Sequence, residues 1–215
     1  MWSFYKNFLP LVFCVSGVLF AQNNAPLVTS VMEKTAKKYN LLSAFAFDFT
    51  LNIDEGGKRI DSFSGVLLVK KDNYYLTFDE QIMANDGTIM WNYQKDTNEA
   101  SIFDAEDDEF SIFHPLKLLN NWEKEYNAKF MREEELNNQK MNIIDLTPKK
   151  KSPFYKIRLF IDQKSSYIQQ IIMYDMGGTT LTYLVTKFTP NLAVADTKFS
   201  FNKKDYPNVQ VIDMR

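Results

Sequence analysis

Phe45-Ala46-Phe47-Asp48-Phe49-Thr50-Leu51-Asn52-Ile53 decides the fold class of this chain. Its large apolar residues occupy every second position. A strand has a side-chain period of two, so all five fall on one face, with Asp48, Thr50 and Asn52 on the other. Gly56-Gly57 follows as a hairpin turn. The next run, 63–71, alternates again, with Phe63, Gly65, Leu67 and Val69 sharing a face. Asp72-Asn73 turns the chain, 74–78 returns and 82–84 continues. Asn85-Asp86-Gly87 turns it once more into 88–93. Short alternating runs punctuated by turn residues are the mark of an antiparallel meander.

On the N-terminal side the period changes. Val28, Val31, Met32, Thr35, Ala36 and Tyr39 recur at helical spacing, with Glu33, Lys34, Lys37 and Lys38 opposite and Pro26 near the start. This predicts an amphipathic helix over 26–39. On the C-terminal side, residues 104–109 hold five acids in six positions and read as a solvated loop. The alternative role for this run, docking a basic partner, is the less economical one. It lacks the turn glycine and ligand spacing of a calcium loop. His114-Pro115 then opens a short helix with Leu116, Leu118, Leu119 and Trp122. Residues 132–135 and 149–151 read as turns or loops. Strands are expected at 141–146, 154–161, 167–174, 179–188, 198–201 and 209–213, with Gly177-Gly178 as a hairpin turn and Pro190-Asn191 as a breaker.

The first residues read as an export signal. Lys6 precedes an apolar run over 8–20, and Ala21 offers a cleavage point, which gives a signal peptide at 1–21 and one domain at 22–215. The apolar run is short for a membrane span, an uncleaved anchor being the alternative. Cleavage leaves 24 basic and 27 acidic residues, a charge of −3. The only cysteine, Cys14, lies inside this segment behind Phe13, so the exported chain has no disulfide and no thiol ligand. A net charge of −2 over 215 residues gives no global field that attracts nucleic acid or an anionic membrane surface.

The catalytic inventory is thin. One histidine, His114, cannot build a His-rich metal site, and no Gly-x-Ser-x-Gly elbow, phosphate loop or dinucleotide turn occurs. No enzyme, cofactor or metal is expected.

Four stretches in order resemble the LolA-type family of periplasmic outer-membrane lipoprotein carriers. They are 45–50; Gly65-Val66-Leu67-Leu68-Val69-Lys70-Lys71 with Asn73-Tyr74-Tyr75; Asp86-Gly87-Thr88-Ile89-Met90-Trp91-Asn92-Tyr93; and the tail from Phe188-Thr189-Pro190-Asn191 to Phe199-Ser200-Phe201. The resemblance implies a mostly β, α+β protein, a half-open antiparallel β-barrel covered by short helices. It implies transport of triacylated lipoproteins from inner to outer membrane through the periplasm by a monomer. The implied partners are an inner-membrane lipoprotein-releasing ABC transporter complex and an outer-membrane acceptor. Phe47, Phe49, Leu51, Leu67, Val69, Tyr75 and Trp91 are the expected acyl-chain contacts. The bland reading of this aromatic stripe is an ordinary filled β-core, and the same holds for Trp91 and Trp122. Many family members place a latching Arg after the Val-Lys pair; here Lys71 stands there, followed by Asp72 in place of the usual Pro. Lys71 is then a looser latch or a rim cation, or simply a snorkelling surface lysine. The alternative function is a lipid-binding or sensing module on the same fold that ferries nothing.

Overall fold

The computed structural model describes residues 25–105 and 114–215. The expected export signal at 1–21 with Cys14, and residues 106–109 of the acidic run, lie outside the described residues. Helix α1 (Ala25–Asn40) leads into β1 (Phe45–Glu55), β2 (Lys58–Lys70), β3 (Asn73–Phe78), β4 (Gln81–Asn85), β5 (Ile89–Gln94) and β6 (Glu99–Asp104). Helix α2 (Pro115–Glu125) follows. The second run is β7 (Tyr126–Leu136), β8 (Gln139–Pro148), β9 (Phe154–Asp162), β10 (Ile168–Asp175) and β11 (Thr179–Pro190), with β12 (Gln210–Asp213) at the end.

The twelve strands of the described residues make one sheet in the order β12-β6-β5-β4-β3-β2-β1-β11-β10-β9-β8-β7. Two antiparallel meanders meet at β1, which pairs with β2 on one side and with β11 on the other. The sheet does not close: β7 and β12 are its edges. This is the expected half-open barrel, with one departure from antiparallel pairing, since β12 runs parallel to β6.

The hairpin glycines do what their turns require. Gly56 and Gly57 have φ of 56° and 80°, in the left-handed region that side chains disfavour. At the lid end of α2, His114 is the N-cap: its Nδ1 accepts from the Lys117 N–H at 3.3 Å, and Pro115 occupies the first turn.

Three expectations are corrected. Residues 132–135 are strand, not loop: they belong to β7, whose register shifts between Phe130 and Arg132. The bulge breaks the alternation after Tyr126, Ala128 and Phe130, and the charged run that follows suits an edge strand, where charge discourages pairing with another chain. Strand β6 goes unmarked in sequence because Glu99-Ala100-Ser101 lacks large alternating residues. Conversely, 198–201 is no strand: a 3₁₀ turn at Asp196–Lys198 leads into irregular chain, where Phe199 is buried and Phe201 half-buried by packing rather than by pairing.

The main core lies between the concave face of the sheet and the two helices. α1 contributes Val28, Met32 and Tyr39; α2 contributes Leu116, Leu118 and Leu119. A small second cluster of Met141, Ile143 and Phe160 lies apart from it, with Leu136 and Ile172 packed on it.

Candidate functional site

Strand register places the apolar rows. Leu51 lies between Phe63 of β2 and Tyr183 of β11. Tyr183 pairs with Ile171, Ile171 with Leu159, and Leu159 with Ile144. Two rows up, Phe47 pairs with Leu67, and Leu67 with Leu76. Because parity is conserved across a ladder, these rows form one continuous apolar concave wall.

The wall is not fully filled. A cavity of ≈ 220 Å³ runs along β1 past Phe47, Phe49, Leu51 and Ile53. Leu67, Leu76 and Phe78 form one flank; Ile168, Ile171, Met173, Leu181, Tyr183 and Val185 form the other; Pro115 of α2 lies over it. Among the described residues the lining side chains are apolar apart from the Tyr183 hydroxyl, and burial pushes that phenol well above its ordinary range. From Phe47 to Ile53 the strand extends about 20 Å at ~3.4 Å per residue. That is comparable to the depth of one bilayer leaflet, about 15 Å.

Both helices are fixed over this wall by specific contacts. Tyr39 of α1 is fully buried, and its hydroxyl accepts from the Ile168 N–H of β10 at 3.1 Å. Its ring meets Phe45 at 5.2 Å, Tyr167 at 5.3 Å and Phe188 at 5.9 Å, in edge-on geometries that favour aromatic pairs. Burial also drives the Tyr39 phenol above its usual range, so it stays neutral. α1 and α2 are joined by reciprocal carboxamide hydrogen bonds between Asn40 and Asn120. His114, 1% exposed, sits 6.2 Å from the Tyr74 ring. Burial pulls its pKa down to about 4, with nearby Lys117 acting in the same direction and Asp72 opposing.

The expected contact residues separate into three groups. Phe47, Phe49, Leu51 and Leu67 line the cavity together. Val69 shares their face but lies outside the cavity lining; it is fully buried, opposite Phe45. Tyr75 and Trp91 are on the other face. Tyr74 and Leu76 point to the core, so Tyr75 between them points away. The row Tyr75–Ala84–Trp91–Ile102 continues that outer parity. There the tail covers them: the Trp91 indole N–H donates to the Phe199 carbonyl at 3.1 Å, and Phe201 and Tyr206 pack on the ring. Lys198 lies 3.7 Å over the Tyr75 ring. Tyr75 and Trp91 are therefore tail anchors in the structure, not cavity wall.

Lys71 is also placed differently from the latch reading. It takes φ = 54° in the β2–β3 turn, which breaks the parity that would have aligned it with Leu67 and Val69. It is exposed and makes no hydrogen bond to either helix among the described residues. The neighbouring Lys70 makes the fixed contact, donating to the Val194 carbonyl at 2.8 Å and pairing with Asp196 at 2.7 Å. That contact ties β2 to the tail rather than to the lid. Sequence reasoning missed Tyr39, Phe78 and the β10–β11 flank. Alternation in 179–188 marked a strand, but nothing local revealed that β11 returns to pair with β1.

Among the described residues, no group of three or more His, Cys, Asp or Glu is placed to hold a metal, and no helix is long and apolar enough to cross a membrane.

An uncharacterized protein of Methanocaldococcus jannaschii is 23% identical over 203 residues, which are 92% of this chain and 58% of that protein. This chain thus spans little more than half the length of that relative. A solved uncharacterized conserved protein from Thermus thermophilus superposes with a TM-score of 0.59 at 13% identity, over 88% of this chain and 99% of its own. A LolA superfamily protein from Nitrosomonas europaea has a TM-score of 0.46 at 13% identity, over 81% and 97%. The model of the family "Outer membrane lipoprotein carrier protein LolA" matches residues 40–202, three-quarters of the chain, and the protein belongs to that family.

Proposed function

We propose that this protein is a periplasmic carrier that takes the acyl chains of lipoproteins into the concave cavity and moves them from the inner to the outer membrane. The observation that carries this reading is an unfilled, apolar cavity of ≈ 220 Å³ along β1, with Pro115 of α2 over it. Membership of the carrier family supports it. The physical need is plain. Each methylene left in water costs about 0.8 kcal/mol, so a chain of ~16 carbons faces on the order of 10 kcal/mol without an apolar host. The work is reversible burial, with no bond made or broken, so no catalytic role is assigned. Loading would be by an inner-membrane ABC transporter complex and unloading by an outer-membrane acceptor.

A cavity of ≈ 220 Å³ is below the ~300–1,000 Å³ of ordinary small-ligand sites. Taking up three acyl chains therefore requires α1 and α2 to move off the wall. The same small volume favours a second reading, a binder of a single-chain lipid that ferries no protein.

The test is release of lipoproteins from cells stripped of their outer membrane. Stoichiometric soluble complexes with triacylated lipoproteins, lost in a folded Phe47→Glu variant, are expected, because that change puts an uncompensated charge on the wall. Co-purifying single-chain lipid without lipoprotein release would establish the second reading. Undiminished release by Phe47→Glu would show that the cargo binds elsewhere.

A further inference from the structure

Away from the acyl cavity, the lid carries a concentration of positive charge. α1, α2 and residues 149–151 together hold eight lysines against three glutamates, a net of +5. The whole chain sums to −2, so everything else sums to −7. On α1, Lys34, Lys37 and Lys38 are all exposed. A groove of ≈ 400 Å³ between α2 and the β8–β9 connection is lined by Lys117, Lys124, Lys150 and Lys151, with Glu125 the single acid among the described residues. This groove is built rather than incidental. The Lys149 N–H donates to the Glu125 carbonyl at 2.8 Å, and its Nζ donates to the Glu123 carbonyl, so the lysine-rich turn is pinned to the C-terminal end of α2. Cations there also complement the helix dipole.

On α1 and at its end, leucines are exposed along with Lys34, Lys37 and Lys38. Leu41 is 73% exposed and directly follows Asn40, whose carboxamide joins α1 to α2; Leu27 at the start of α1 is 42% exposed. Lysines flanked by exposed leucines on one helical surface match a boundary with anionic headgroups outside and hydrocarbon beneath.

We propose that the outer surface of the lid, centred on the Lys117–Lys124–Lys150–Lys151 groove, docks on an anionic phospholipid bilayer. The cavity is lined by Pro115 of α2, the helix that carries Lys117 and Lys124. Contact with a membrane would therefore bear on the element that covers the cavity. The assignment stands on charge and exposure and does not depend on what the cavity holds.

Co-sedimentation of the purified protein with phosphatidylcholine vesicles, with and without phosphatidylglycerol, tests it. Binding is expected only with phosphatidylglycerol present, and is expected to fall as salt is added. Each lysine near an anionic surface is worth about fivefold in affinity, so Lys150→Gln with Lys151→Gln should weaken binding about 25-fold. Lys203→Gln with Lys204→Gln, on the tail, should leave it unchanged. Equal binding to both vesicle types, or an undiminished Lys150→Gln/Lys151→Gln variant, overturns the proposal. So does retention on an immobilised acidic peptide without vesicle binding, which would indicate a protein partner. Uptake of a fluorescent fatty acid, measured on the same samples, separates the two readings. Uptake should survive the lysine changes, and its absence in the wild type would remove the cavity reading while leaving the vesicle result intact.

Discussion

Gly65 stands in β2 directly opposite Phe49 of β1 and Phe78 of β3. A methyl group built on it would lie 2.5 Å from the end of the Phe49 ring and 2.6 Å from the Thr77 carbonyl oxygen. Ordinary contact needs roughly 3.4 Å in a packed interior, so Gly65→Ala must open both the contact with the ring and the contact with the β3 backbone by most of an ångström. The ring has somewhere to go, because Phe49 borders the cavity; the backbone oxygen does not, because β3 is paired on both sides. Overpacking of this kind costs about 1–3 kcal/mol. For a protein of this size that lowers Tm by about 2–12 °C. Gly177→Ala is the control. Its added carbon would meet only the Asp175 carboxylate, at 3.5 Å, in an exposed hairpin, so it should shift stability by no more than about 0.5 kcal/mol. Thermal denaturation of both variants, with fatty-acid uptake measured alongside, reads the result. Gly65→Ala should lose stability and cavity volume together. Equal melting of the two variants would refute the packing of Phe49 across β1 and β2.

The buried His114 predicts an acid-sensitive lid. Its pKa is about 4 in the fold against 6.5 unfolded, so the unfolded chain binds the extra proton first. The neutral ring's contribution is present in full above pH 6.5, falls as pH drops through the window, and is lost below 4. The total is about 3 kcal/mol at ~1.4 kcal/mol per pH unit. Urea denaturation from pH 7 to 4 should show this slope, flattened in His114→Asn, which keeps a capping side chain without the titration; parallel slopes would remove His114 as the cause. Tyr39→Phe leaves the Ile168 N–H buried without its acceptor, at an expected cost of about 1–3 kcal/mol in the same assay. An unchanged midpoint would mean that α1 is held by ring packing alone.

Most of the architecture was legible because alternation survives in the strands that bound the cavity. Phe45 to Ile53 alternates without interruption since β1 is central, with apolar contacts on its concave side throughout. The same logic placed α1, where Val28, Met32 and Tyr39 fall on one stripe. Legibility failed where the controlling contact was distant in sequence. Trp91 and Tyr75 read as cavity aromatics because their burial is obvious, but their direction depends on the tail more than 100 residues later. The choice between Lys70 and Lys71 turned on a left-handed turn residue that no pattern announces. In β7 the bulge and the charged edge together concealed a strand. Within the candidate site, the β1–β2 wall could be read from parity, whereas the β10–β11 flank required knowing which strands meet.

That meeting has a cost in time. β1 finds β2 across a two-residue turn, but Phe45 finds Pro190 only across 145 positions of chain. A polypeptide emerging from its N-terminus first has six strands in place long before β11 exists, and during that interval the β1 edge lies open with Phe45, Phe47 and Phe49 beside it. Long-range closure makes folding slow, and an open apolar edge invites pairing with another chain. The seam that creates the cavity thus forms late, with only the tail and β12 still to follow, and until it does the nascent chain carries an exposed apolar edge.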